Sequence, residues 1–223
     1  MRQFLQPIRF LCQACFMAGL FFPLLPEADV IGQKVWISVV FVGVFFCGWI
    51  CPFGAVQDWI SWTAGRLHIP RFRMPPAGQQ YIQLFRYIFY ALSILGITFF
   101  FSNTLFYFKH NLIMGMIEWT SGLSLAFFLL AAVFIDRPFC NYFCLKGAAD
   151  GLMSVVRPIG IKRDKNACIQ CGLCRKACPM NILVDRHDFV RHPNCINCMR
   201  CISACPKKCV KFGLIKLSLR KND

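Results

Sequence analysis

Eight cysteines toward the end of the sequence have the spacing of iron–sulfur ligands. Cys168, Cys171, Cys174 and Cys178 form one C-x2-C-x2-C-x3-C run closed by Pro179. Cys195, Cys198, Cys201 and Cys205 form a second, closed by Pro206. Two-residue spacing lets a tight loop present three thiolates to one four-iron cube, while the fourth cysteine of each run ligates the other cube. That crossover predicts one [4Fe-4S] cluster on Cys168, Cys171, Cys174 and Cys205, and a second on Cys195, Cys198, Cys201 and Cys178. Zinc knuckles are the competing chemistry, but structural zinc takes its ligands in two pairs rather than in runs of four. Cys209 lies outside both runs and reads as a bystander thiol, because the eight ligands are complete without it.

Four further cysteines form a second set. Phe46-Cys47-Gly48-Trp49-Ile50-Cys51-Pro52-Phe53-Gly54-Ala55 is echoed by Phe139-Cys140-Asn141-Tyr142-Phe143-Cys144-Leu145-Lys146-Gly147-Ala148, each reading F-C-x-x-x-C-x-x-G-A. On a helix, residues i and i+4 share a face, so each pair presents two thiols in one direction. Pro52 disfavours a helical Cys51, so the chain turns there and aims free amides at an anionic centre. Cys47, Cys51, Cys140 and Cys144 are thus candidate ligands of a third metal or iron–sulfur centre. Redox dithiols and simple packing are the alternatives. Cys12 and Cys15 read as packing residues, with a contribution to that third centre as the alternative. No catalytic nucleophile, nucleotide-binding loop or proton-transfer pair is visible.

The elements that must position these groups follow from composition. The chain has 223 residues, 57% of them hydrophobic, with 24 phenylalanines. A soluble domain sits nearer 45–50%. The apolar excess lies before Ile135 and falls into four blocks, approximately Ile8–Leu25, Val35–Ile50, Tyr81–Phe101 and Met114–Ile135. A bilayer core of ~30 Å needs about 20 apolar residues per crossing helix. The expected fold is a membrane all-α four-helix bundle of two hairpin repeats over residues 1–156. A small α+β ferredoxin-like two-cluster domain follows over 157–223. Arg66, Arg71, Arg73, Arg86 and Arg137 follow the even helices, which places both termini in the cytoplasm and the protein in the inner membrane as a multi-pass chain. Twelve of the 15 cysteines fall in these ligand spacings, which agrees with a reducing compartment.

Charge limits the partners. The net charge is +15. From Arg157 onward there are 15 Lys and Arg against 4 Asp and Glu, or +11. Two clusters at about −2 to −3 each bring this to about +5 to +7. The remainder suits anionic lipid or an acidic redox partner. No recognition motif accompanies the charge, so nucleic acid is not expected. None of His68, His110, His187 and His192 falls inside an apolar block, which argues against haem. Lys34, Trp36, Lys109, His110, Glu118 and Trp119 gather toward one face, where a quinone headgroup is a candidate ligand and interfacial anchoring is the simpler reading.

The two F-C-x-x-x-C-x-x-G-A stretches together with the two ferredoxin runs resemble the NapH/NosR/CcoG group of membrane polyferredoxins, over nearly the whole chain. The ferredoxin runs alone are similar to the bacterial two-cluster ferredoxins. Leu145 stands where these motifs usually repeat the proline. The resemblance implies an electron-transfer subunit working between the quinone pool or a membrane partner and a redox enzyme. Other redox subunits or a soluble electron carrier would be its partners, and a quinol dehydrogenase complex its setting. A metal-handling or assembly factor, such as a cupric reductase using the membrane cysteines, is the alternative, and a cluster-based sensor a third.

Overall fold

The structure, a computed structural model, describes residues 5–21, 39–95 and 119–214. Parts of all four apolar blocks lie outside these residues, as do Lys34, Trp36, Lys109, His110 and Glu118. The chain divides into two compact units. One comprises Met1–Pro52 with Asp150–Asp223, the other Phe53–Ala149.

The expected four-helix membrane bundle is corrected by the structure. Among the described residues no helix is long and apolar enough to cross a membrane, and what is present is short helices with one two-stranded sheet. The physical reason lies in the faces of the helices. Helix α1 (Leu5–Phe21) has 17 residues, and at 1.5 Å per residue it falls short of a ~30 Å core. Its Gln6, Arg9 and Gln13 share one side at i, i+3 and i+7, and Arg9 and Gln13 are fully buried against protein. The second block is interrupted. Helical residues 39–42 end at Gly43, whose φ of +82° starts a new turn into the four-residue α2 (Phe46–Trp49). Beyond Cys51 the chain forms α3 (Pro52–Arg66).

Helix α4 (Pro76–Ile94) buries Gln79, Gln83 and Arg86 on one side, again at i, i+4 and i+7. Helix α5 (Trp119–Phe134) is apolar but only 16 residues long. Two short helices follow, α6 (Pro138–Tyr142) and α7 (Leu145–Met153). In the unit built from α3 to α6, Phe53 packs on Phe139, Phe139 on Phe128 and Phe128 on Phe143, with ring centroids 4.9, 5.0 and 5.2 Å apart. In the same unit Arg137 and Asp58 form a fully buried ion pair at 2.6 Å.

The other unit holds the cysteine runs. Strands β1 (Ile159–Arg163) and β2 (Val210–Leu214) pair antiparallel, with Ile159 opposite Leu214 and Arg163 opposite Val210. This clasp closes the segment between them into one loop. The loop carries the one-turn helices α8 (Leu173–Lys176) and α9 (Arg200–Ser203) and a 3-10 turn at Val184–Arg186. Ile161, Met180, Ile182, Val184, Val190, Ile196, Ile202 and Val210 form its core together with the cysteines. So small an apolar core needs staples to fold.

Candidate iron–sulfur sites

The backbone of each run is bent in the same way. Gln170 and Gly172 flank Cys171 with φ of 52° and 71°, and Asn197 and Met199 flank Cys198 with 47° and 58°. Asn181 and Lys208, three residues past Cys178 and Cys205, have φ of 53° and 56°. Left-handed non-glycine residues cost of order 1–2 kcal/mol each and persist where the surroundings over-determine them. Both loops therefore wrap around something, and what they wrap is lined by sulfur.

One cavity is lined by Cys178, Cys195, Cys198 and Cys201, with Ile161, Ile182, Val190 and Ile196 among its apolar walls. A second is lined by Cys168, Cys171, Cys174, Cys205 and Cys209, together with Asp185 and Lys207. The structure thus brings together the two crossover sets and adds Cys209 to one of them. Among the described residues no three His, Cys, Asp or Glu side chains are gathered tightly enough for a single metal ion. Each set is instead spread around its cavity, as a cube with a different iron at each thiolate requires.

Electrostatics favour a metal core. Burial, then the neighbouring Cys198, pushes the Cys178 thiol up to about 12. Burial and the other cysteines push Cys201 well above the ordinary value. Burial also raises Cys195, opposed by the Arg157 guanidinium. Cys178, Cys195 and Cys201 thus resist ionising on their own, and a cluster bound there would supply the positive charge that favours their thiolates. In the second cavity the Gln170 backbone and then Arg163 hold Cys168 below the ordinary value.

Several supporting residues escaped the sequence reading. Fully buried Arg157 donates from Nη1 to the Cys195 carbonyl at 3.3 Å and from Nη2 to the Val190 carbonyl, placing a cation beside the first cavity. Gly43 leaves room for it, since a Cβ there would sit 2.6 Å from Arg157 Nη1.

The two C-x-x-x-C motifs make the same turn. The Cys51 N–H donates to the Phe46 carbonyl at 2.9 Å, and the Cys144 N–H to the Phe139 carbonyl at 3.0 Å. A new helix starts at the next residue in each, Pro52 or Leu145, so Leu145 replaces the proline without changing the turn. Cys47 and Cys51 belong to one unit and Cys140 and Cys144 to the other. Within the first unit, Gly48 presses on the cluster loop: a Cβ there would meet the Ile196 carbonyl at 2.4 Å. Trp49 Nε1 donates to the Asn197 carbonyl at 3.1 Å, Gln13 Nε2 to the Gly48 carbonyl at 3.2 Å, and Gln6 Nε2 to the Cys198 carbonyl at 3.3 Å.

Within the second unit, Gln57 Nε2 donates to Cys140 Sγ at 3.5 Å and the Gly147 N–H to Cys144 Sγ at 3.3 Å. Buried Arg86 donates from Nη1 to the Cys140 carbonyl at 3.0 Å and from Nη2 to the Gly147 carbonyl. A signal for these supports was present in the sequence: Gln6-x-x-Arg9-Phe10 and Gln83-x-x-Arg86-Tyr87 repeat one pattern ahead of each motif.

Family models agree with this division of the cysteines. A 4Fe-4S binding domain model matches residues 35–70 and 118–162, covering both C-x-x-x-C motifs. A 4Fe-4S dicluster domain model matches residues 160–206, covering both ferredoxin runs. The putative electron transport protein YccM of Escherichia coli is 33% identical over 219 residues, which are 88% of this chain and 60% of that protein. The ferredoxin-type protein NapH of Haemophilus influenzae is 28% identical over 222 residues, 85% of this chain and 70% of that protein. The regulatory protein NosR of Pseudomonas aeruginosa is 27% identical over 150 residues, 62% of this chain and 20% of that protein.

The chain is a NapH/NosR-type polyferredoxin.

This polyferredoxin spans 60% of the length of the first of those relatives. No solved structure matches it. Its cofactors are two [4Fe-4S] clusters.

Proposed function

We propose that Cys168, Cys171, Cys174 and Cys205 hold one cluster and Cys178, Cys195, Cys198 and Cys201 the other. In this reading the polyferredoxin passes single electrons between the quinone pool or a membrane-bound partner and a redox enzyme. The observation that carries the assignment is the sorting of eight cysteines into two cavities with one crossed-over ligand each. Bound there, the clusters supply one-electron redox chemistry. The chain supplies the remainder: apolar walls exclude water from one site, Arg157 offsets negative charge beside it, and the β1–β2 clasp holds the loop closed.

The test is anaerobic purification with iron and sulfide analysis. About eight of each are expected for two cubes. Cys178→Ala should remove the same cluster signal from the reduced protein's EPR spectrum as Cys198→Ala, and Cys171→Ala the other. Loss in Cys178→Ala of the signal that Cys171→Ala removes would refute the crossed assignment. Capture from the native host in mild detergent should recover an oxidoreductase that oxidises the reduced protein, and absence of any such electron acceptor would refute the relay.

A further inference from the structure

Each half of the cluster-bearing loop leaves its last cysteine by the same turn. Cys178 leads through Pro179 and left-handed Asn181 to Ile182, and Cys205 through Pro206 and left-handed Lys208 to Cys209. In the first half the Ile182 backbone N–H donates to Cys178 Sγ at 3.4 Å, and the Ile182 side chain joins the apolar core. In the second half a thiol stands where that isoleucine stands. Cys209 is 5% exposed, lines the cavity with Cys168, Cys171, Cys174 and Cys205, and places its Sγ 3.3 Å from Cys205 Sγ. Its backbone is pinned as well, because the Asp164 N–H donates to the Cys209 carbonyl at 2.9 Å.

We propose that Cys209 is a positioning residue of the cluster held by Cys168, Cys171, Cys174 and Cys205, donating its S–H to the Cys205 sulfur and easing that cluster's reduction. The inference rests on the ligand assignment proposed above. A cysteine bound to iron has no sulfur proton to give, so Cys209 must be the donor of the pair. Hydrogen bonds to ligand sulfurs are one of the levers that set cluster potentials. The sign follows from charge: reduction adds negative charge to the core and its ligand sulfurs, and a donor dipole pointed at one of them stabilises it. A thiol is a weak donor, so the effect is a shift in potential rather than loss of the cluster.

The experiment is an EPR-monitored redox titration of the full chain, purified anaerobically, as parent, Cys209→Ala and Cys209→Ser. In the alanine variant iron should stay at about eight, one midpoint potential should become more negative, and the other should stay in place. The serine hydroxyl also donates, so that variant should lie nearer the parent than alanine does. Unchanged potentials in Cys209→Ala, or a serine variant shifted further than alanine, would overturn the donor role. Loss of half the iron would overturn it too, by making Cys209 a ligand. A parent protein that binds no clusters would instead overturn the reading on which the inference rests.

Discussion

The two C-x-x-x-C motifs are near-copies in sequence and share one backbone turn, yet they are held by different chemistry. In the first, the residues after the leading cysteine are Gly48 and Trp49, and both meet the cluster loop at Ile196 and Asn197. In the second they are Asn141 and Tyr142. Asn141 Oδ1 accepts from Gln83 Nε2 at 3.2 Å, and the Tyr142 hydroxyl donates to Gln79 at 3.0 Å. Two residues ahead of each opening phenylalanine stands Val44 in one copy and Arg137 in the other, both buried. The spacing of the cysteines and the phenylalanine–cysteine hydrogen bond thus fix the turn, while the residues between the cysteines select what the turn is fastened to.

The largest effect should come from the position where the copies differ most. Arg137→Ala strands Asp58 as a buried charge and should cost about 3–5 kcal/mol. Val44→Ala, its counterpart, should cost about 1–3 kcal/mol. Denaturant unfolding of the two variants checks the order, and equal losses would undo the contrast. Next is Gly48→Ala. Its methyl would lie 2.4 Å from the Ile196 carbonyl, and the loop carrying Cys195 and Cys198 must give way. A cost of about 1–3 kcal/mol is expected, with part of the cluster absorbance lost. Asn141→Ala should destabilise the protein by a similar amount yet keep its cluster absorbance. Loss of iron in both variants would break the comparison.

Trp49→Phe and Tyr142→Phe each delete one buried hydrogen bond and should each cost about 1 kcal/mol, measurable as small shifts in unfolding midpoint. The last difference appears only with pH. Burial raises the Tyr142 hydroxyl above its ordinary 10.0, against the opposing hydrogen bond with Gln79. The unfolded chain therefore ionises this group first. Its contribution to stability is present in full below about pH 10 and falls away as pH rises through the folded value. Tyr142→Phe should flatten that alkaline limb. Trp49→Phe, which removes no titrating group, should leave the limb as steep as in the parent protein.

What could be read from the sequence depended on how local the cause was. The ferredoxin runs were legible because ligand spacing is a property of a few consecutive residues. The C-x-x-x-C turn was legible at Pro52 and was also made at Leu145, since the fold of the turn lies in its own hydrogen bonds. The membrane bundle failed because block hydrophobicity averages over faces. Gln6, Arg9 and Gln13 in α1, and Gln79, Gln83 and Arg86 in α4, are few enough to leave the averages high, yet each trio lies on one side of its helix, and all but the half-buried Gln6 are buried. Counting ligands also set Cys209 aside, although its sulfur lies 3.3 Å from that of Cys205.

The sequence by itself determined the cofactor class, because thiolates two and three residues apart can wrap only a small set of metal cores. It also determined the repeated turn. Only the tertiary structure decided what each turn rests on. The closeness of Gly48 to Ile196, the burial of Arg157 beside Cys195 and the clamp of Arg86 on Cys140 join residues tens to more than a hundred positions apart in sequence. Such contacts are set by how faces pack, and face packing is not written in the order of the residues along either partner alone.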